Sequence, residues 1–386
     1  MSKTYLLFAT LTLCAVYFSC DIFSSGSISH DSWQEYQITF DNADQFAPSI
    51  WEDKVVYMDE RNGNWDIYMF NLSTGKEKAL VTEAHHQSYP DIYEDKVVYA
   101  DMRNGNSDIY LYNLSTGMEK AICTNPATQW RGHVYGDVVT WIDNRSGRWD
   151  VYMYDLSTEK EIKVSANSSN YKPSLDIYGN NIVWCDDRND NWDIYLYDIG
   201  GDEEYQITTD KFDQTCPAIF EDKIVWADNR NATQPIMSNV MPDDIYLYDI
   251  NTKKEIPICE NDEHQLFSDI YGNKVVWVDQ RNDPLGDIYM YDLSINETLT
   301  VCERTTSQLT PKIYANKIVW QDNRNGNWDI YLYTNETVNV PIQNQNDIQE
   351  LLSQYRYVLV IVIVMVAVLV PFVYYKIKME KLKHEK

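Results

Sequence analysis

Over most of the chain apolar and polar positions alternate with the period of a half-buried strand, and Gly, Asn, Asp and Ser interrupt the alternation at regular intervals. Residues 91–124 show the pattern. Asp91-Ile92-Tyr93 reads as a short inner strand and Glu94-Asp95 as a turn. Val97-Val98-Tyr99-Ala100-Asp101 is a second strand, and Asn104-Gly105 marks a tight hairpin. Asp108–Leu114 is a third, with Ile109 and Leu111 on one face and Tyr110 and Tyr112 on the other. Ser115-Thr116-Gly117 turns the chain into an outer strand, Glu119–Thr124. Four antiparallel strands joined by hairpins make one propeller blade.

The unit recurs seven times, roughly as V-V-W-x-D-x-R-N-G-N-x-D-I-Y-x-Y-D-L, at 55–72, 97–114, 139–156, 182–199, 224–250, 275–293 and 318–333. Its arginines, Arg61, Arg103, Arg145, Arg188, Arg230, Arg281 and Arg324, are spaced by 42, 42, 43, 42, 51 and 43 residues. A fixed period in the low forties predicts an all-β fold, a seven-bladed propeller of four-stranded antiparallel blades over residues 35–342. Ten residues before each arginine stands an aromatic: Trp51, Tyr93, Tyr135, Tyr178, Phe220, Tyr271 or Tyr314. An aliphatic precedes each of them, so the pair is expected to pack every inner strand against both neighbouring blades. Glu35–Phe40 resembles an outer strand with no blade before it, and Thr334–Ile342 is a weaker one. The N-terminal strand is therefore expected to join blade seven and close the ring.

These residues resemble the propeller repeat of the Tol-system protein TolB and its relatives. Pro90, Val97-Val98-Tyr99, Arg103-Asn104-Gly105-Asn106, Asp108-Ile109-Tyr110 and Ile122 carry the match. The resemblance implies the propeller fold. It leaves function open, because such propellers serve as scaffolds, receptors, lyases and peptidase gates. The sequence leaves no length for the additional N-terminal domain of TolB. It also has no G-x-S-x-G nucleophile elbow of the kind that propeller peptidases carry on a separate hydrolase domain.

Both ends change the picture. Residues 1–20, with Lys3 before an apolar run, read as a signal peptide, and Ser19-Cys20 leaves lipidation of Cys20 open. After a linker at 343–356, residues 357–375 are 19 residues without a charge, long enough for a transmembrane helix. The tail, 376–386, carries Lys376, Lys378, Lys381, Lys383 and Lys386 and is expected in the cytoplasm. A single-pass cell-membrane protein follows, with an extracytoplasmic propeller; archaeal cell-surface proteins with such repeats look similar. Residues 21–356 hold 26 Lys and Arg against 57 Asp and Glu, which argues against nucleic acid and anionic lipid as partners. The cysteines form no C-x-x-C pair and imply neither a disulfide framework nor a metal site. Seven sequons are candidates for glycosylation: Asn71, Asn113, Asn144, Asn167, Asn231, Asn296 and Asn335.

Candidate chemistry is sparse. Asp59, Asn62, Asn64 and Asp66 resemble an oxygen-rich calcium loop, but an arginine sits inside each copy and no closing Glu follows. The alternative is structural. Arg61 pairs with Asp59 or Asp66, and the same holds for Asp101, Arg103 and Asp108; Asp143, Arg145 and Asp150; Asp186, Arg188 and Asp193; Asp279, Arg281 and Asp287; and Asp322, Arg324 and Asp329. His85-His86 reads as a solvated loop pair. The places where the repeat breaks are the better lead. The third repeat has Trp130-Arg131-Gly132-His133 in its proline region. The fifth inserts nine residues containing Pro235, Ile236, Met237 and Met241. These are expected to gather at one channel mouth as a contact site. The resulting expectation is a non-enzymatic surface protein without a cofactor, binding a protein or glycan. An envelope component interacting with divalent cations and a carbohydrate-active enzyme at the channel mouth are the alternatives. The enzyme would require convergent pocket carboxylates.

Overall fold

The computed structural model describes residues 33–166, 169–170, 173–232 and 243–340. Among them every regular element is a strand, and 28 strands form seven four-stranded antiparallel sheets. The segments read from the sequence as a signal peptide, a linker, a transmembrane helix and a basic tail, together with Asn167 and the segment with Pro235, Ile236, Met237 and Met241, lie outside the described residues.

Six of the sheets are each one repeat, read inner strand to outer strand. The second blade runs Gln87–Tyr93, Lys96–Asp101, Asp108–Asn113 and Met118–Cys123. Gly105 at φ 94° turns its central hairpin, a conformation that a side chain resists. The face alternation sorts the core. Val97, Tyr99, Tyr110 and Tyr112 pack against blade one, with Val56, Met58 and Ile67. Val98, Ala100, Ile109 and Leu111 pack against blade three, with Val134, Val139 and Trp141. Blade interfaces are thus sandwiches of two sheets, and truncating a buried tryptophan such as Trp141 to Ala is expected to cost about 3–5 kcal/mol.

Closure follows the expected route. Gln34–Gln37 pairs antiparallel with Asp329–Thr334 and forms the outer strand of blade seven. Residues 335–340 do not supply that strand, because its edge is already taken. After Thr334 the chain instead crosses to blade one, where the Asn339 N–H donates to the Leu72 carbonyl at 2.8 Å and its side chain donates to Ser73.

The hairpin arginines organise the second and third strands. Asp101 is fully buried, and its carboxylate accepts from Arg103 at 2.6 Å and from the Arg103 backbone N–H at 2.7 Å. Arg103 also meets Glu119 of the outer strand at 2.8 Å and lies over the Tyr110 ring. In blades three to seven a buried Trp in the second strand donates its indole N–H to the same aspartate, as Trp226 does to Asp228 at 2.9 Å. The second aspartate of the hairpin has different partners. Asp66 accepts from Asn62 at 2.6 Å and from Asn64 at 2.7 Å. The amides therefore point nitrogen toward the carboxylate, the opposite of a calcium loop. Among the described residues no group of three or more His, Cys, Asp or Glu could hold a metal ion.

Candidate functional site

The inner strands build the channel, and their sequence gives it layers. In six blades this strand carries a bulge whose first residue is left-handed: Ala47, Tyr89, Arg131, Cys216, Phe267 or Thr310, all with φ near +50°. Bulges of this kind re-aim the side chains that follow them. Two residues on comes a ring with one member per blade, Ser49, Asp91, His133, Asp176, Ala218, Asp269 and Lys312. Two further on, the seven aromatics from Trp51 to Tyr314 touch one another around the axis, with neighbouring centroids 4.3–4.9 Å apart. They are half-buried and form an axial collar, whereas the preceding aliphatics such as Ile92 lie in the core between blades. Both therefore pack blade against blade as expected, the aliphatic within the core and the aromatic at its axial edge.

Above the collar lies a chamber of about 170 Å³, lined by the bulges and by the ring except Asp269, which stands behind Lys312. Each aspartate of the ring accepts a backbone N–H from the next blade. Asp91 accepts the Val134 N–H at 3.0 Å, Asp176 that of Ile219 at 2.8 Å and Asp269 that of Ile313 at 2.8 Å. His133 stands between two of them, with Nδ1 at 3.7 Å from both Asp91 Oδ2 and Asp176 Oδ1. Those oxygens are therefore no further apart than twice that distance. From the other side Lys312 donates to Asp269 at 3.3 Å. Ser268 replaces the proline of other blades, and its buried hydroxyl lacks a partner.

Burial and charge set the protonation. Burial pushes the Asp176 carboxyl up to about 7, against the pull of Lys312 and helped by Asp269 and Asp91. Burial pushes His133 down to about 4; Asp91 opposes this, and Lys312 and Arg131 add to it. Burial also works against the Lys312 charge, but Asp269, Asp176 and Asp91 outweigh it and hold the ammonium protonated. Near neutrality the chamber thus has a neutral imidazole, a carboxyl poised to gain or lose a proton, and a fixed cation.

Of the residues singled out in the sequence, Arg131 and His133 line the chamber, while Trp130 packs at its rim on Tyr89, with centroids 5.0 Å apart. His86 accepts the Trp65 N–H at 3.1 Å. Sequence reasoning missed Asp91, Asp176, Asp269 and Lys312. Their signal was one column, twelve residues before the arginine, that changes chemistry from blade to blade beside an aliphatic column that does not.

The fold recurs in solved proteins. Oligogalacturonate lyase from Vibrio parahaemolyticus superposes with a TM-score of 0.58 at 14% identity, covering 78% of this chain and 96% of that one. The β-propeller domain of the Trilobed protease from Pyrococcus furiosus gives 0.60 at 15%, covering 79% and 99%. Acylaminoacyl peptidase from Pyrococcus horikoshii gives 0.60 at 15%, covering 80% of this chain and 54% of that one. At such identities the likeness establishes the fold alone. It nevertheless corrects the expectation of a chain without enzymatic activity, because enzymes are built on this propeller and it gives no ground for setting catalysis aside. A comparison with curated protein sequences finds no match. A model of the TolB beta propeller domain matches residues 31–243, more than half the chain, and the chain belongs to that family.

Proposed function

We propose that the chain is a membrane-anchored, extracytoplasmic propeller whose axial chamber takes the terminal residue of a glycan and holds it against acid–base groups. The observation that supports this reading is the convergence of Asp91, His133, Asp176, Asp269 and Lys312 at one level of the channel. Carboxylates accept from sugar hydroxyls, Lys312 and Arg131 donate to them, and Pro48, Pro90, Pro217 and Phe267 offer apolar walls to the C–H face of a sugar ring. A carboxyl that exchanges its proton near neutrality, beside a neutral imidazole, suits general acid–base work, so turnover belongs to the reading. The anchor and the outward placement rest on residues 1–20, 357–375 and 376–386.

The test is a glycan array with the full-length chain in detergent, followed by a reducing-end assay on any glycan retained. Wild type is expected to retain a defined terminal sugar, and Asp176→Asn and His133→Ala to bind it at least tenfold more weakly with unchanged melting temperatures. Undiminished binding by both variants would remove the chamber from the function.

A further inference from the structure

The chamber wall also carries a pair of thiols. Cys185 lies on the second strand of blade four and is buried, and Cys216 is the left-handed bulge residue of blade five and lines the chamber half-exposed. The Cys216 backbone N–H is directed at Cys185 Sγ. Ser174 touches both sulfurs. Its backbone N–H donates to Cys185 Sγ at 3.3 Å and its hydroxyl to Cys216 Sγ at 3.7 Å.

The corresponding joint between blades seven and one explains this contact. There Gln321 takes the place of Cys185 and Ala47 that of Cys216. The Ala47 N–H donates to Gln321 Oε1 at 2.9 Å, and Thr310, the counterpart of Ser174, donates to the same oxygen at 3.0 Å. The fold thus brings these two positions together across a blade joint, and here each holds a thiol. Cys123, Cys259 and Cys302 sit elsewhere, on outer strands, with their sulfurs against Arg145, Arg281 and Arg324.

We infer that Cys185 and Cys216 are an oxidisable dithiol in the chamber wall, a modification site for small-molecule disulfides that enter the channel. Cys216, the thiol facing the chamber, reacts first. Its sulfur displaces one half of the disulfide RSSR, and RSH leaves with the Cys216 proton. Cys185 then attacks the Cys216 sulfur of the mixed disulfide, the bond between the cysteines forms, and a second RSH leaves with the Cys185 proton. Two cysteines are oxidised, one RSSR is reduced to two RSH, and no other reagent is consumed. Burial pushes the Cys185 thiol up to about 12, which keeps it from competing for RSSR in solution; its attack on the mixed disulfide depends on Ser174 holding the two sulfurs together. The product would join blade four to blade five through one wall of the chamber.

The experiment is peptide mapping of the folded full-length chain after incubation with excess oxidised glutathione and alkylation of the remaining thiols. The expected result is a peptide pair cross-linked through Cys185 and Cys216, lighter by two hydrogens, with the other three cysteines alkylated. In Cys185→Ser the glutathione adduct should persist on Cys216. The oxidised wild type should melt several degrees higher than the reduced protein. Alkylation of both cysteines after oxidation, a stable glutathione adduct on Cys216 in the wild type, or a cross-link to another cysteine would each overturn the inference. The wild-type map decides the matter even if the variants fold poorly.

Discussion

Asp91 in the second blade accepts the backbone N–H of Val134 in the third at 3.0 Å, while its other oxygen accepts the Ser49 hydroxyl of the first at 2.8 Å. One carboxylate therefore spans three blades and lines the chamber as well. Asp91→Ala leaves a buried amide without an acceptor and is expected to cost about 1–3 kcal/mol in urea unfolding. Asp91→Asn keeps a carbonyl oxygen and should lose about half as much. Wild-type midpoints for both would show that the contact adds nothing to stability.

Arg103 and Glu119 make unequal contributions to the same ion pair. Removing the arginine strands Asp101, which has no solvent contact, so Arg103→Ala should cost about 3–5 kcal/mol. Glu119 is partly exposed, and Glu119→Gln should cost under about 1 kcal/mol. Equal losses in chemical denaturation would mean that the buried aspartate finds other donors.

Stability should depend on pH through Asp329. Burial pushes its carboxyl up to about 6, with Asn325 and Asn327 pulling the other way. The unfolded chain titrates this group near about 3.9. Between these values the folded state binds more protons, so the contribution of Asp329 is complete below the lower value and is lost as pH rises through about 6. Urea midpoints of wild type and Asp329→Asn across that range should diverge, with the wild type losing ground toward neutrality. Parallel curves would place the carboxyl at its ordinary value.

His133 should remain neutral down to about pH 4. Carbon-13 labelled histidine read by NMR would follow its ring directly. A midpoint above about 6.5, the ordinary value for histidine, would show that attraction from the neighbouring carboxylates prevails over burial.

The sequons should differ in use. The Asn231 amide donates to Asp244 at 3.0 Å and Tyr246 at 2.9 Å, and a glycan on that nitrogen would break both bonds. Asn296 stands exposed in a turn. In a glycosylating host, Asn296→Gln should remove a glycan and Asn231→Gln none, as intact mass would show.

The repeat made blade number, strand order and closure legible, because each depends on a period and on turn residues that any one copy displays. The hairpin showed its residue types but not its pairing. Spacing alone leaves Arg61 equally able to reach Asp59 or Asp66, which the register sets opposite each other; in the fold Arg61 takes Asp59 while Asn62 and Asn64 take Asp66. The chamber was half legible. His133 drew attention because it breaks a proline pattern, whereas Asp176 looks like one more aspartate in an acidic chain. Only ring closure sets residues more than forty positions apart side by side, so their convergence has no local trace.

The three ring aspartates join blade two to three, four to five and six to seven. Seven is odd, so a ring tiled with such doublets must leave one unit over, and here it is blade one. That blade gives no such backbone N–H and is held by the Ser49 hydroxyl on Asp91, by the Ala47 N–H on Gln321 of blade seven and by the returning chain, through Asn339 on Leu72 and Ser73. Tension applied to the chain beyond Asn339 is therefore delivered first to the single blade outside the doublets.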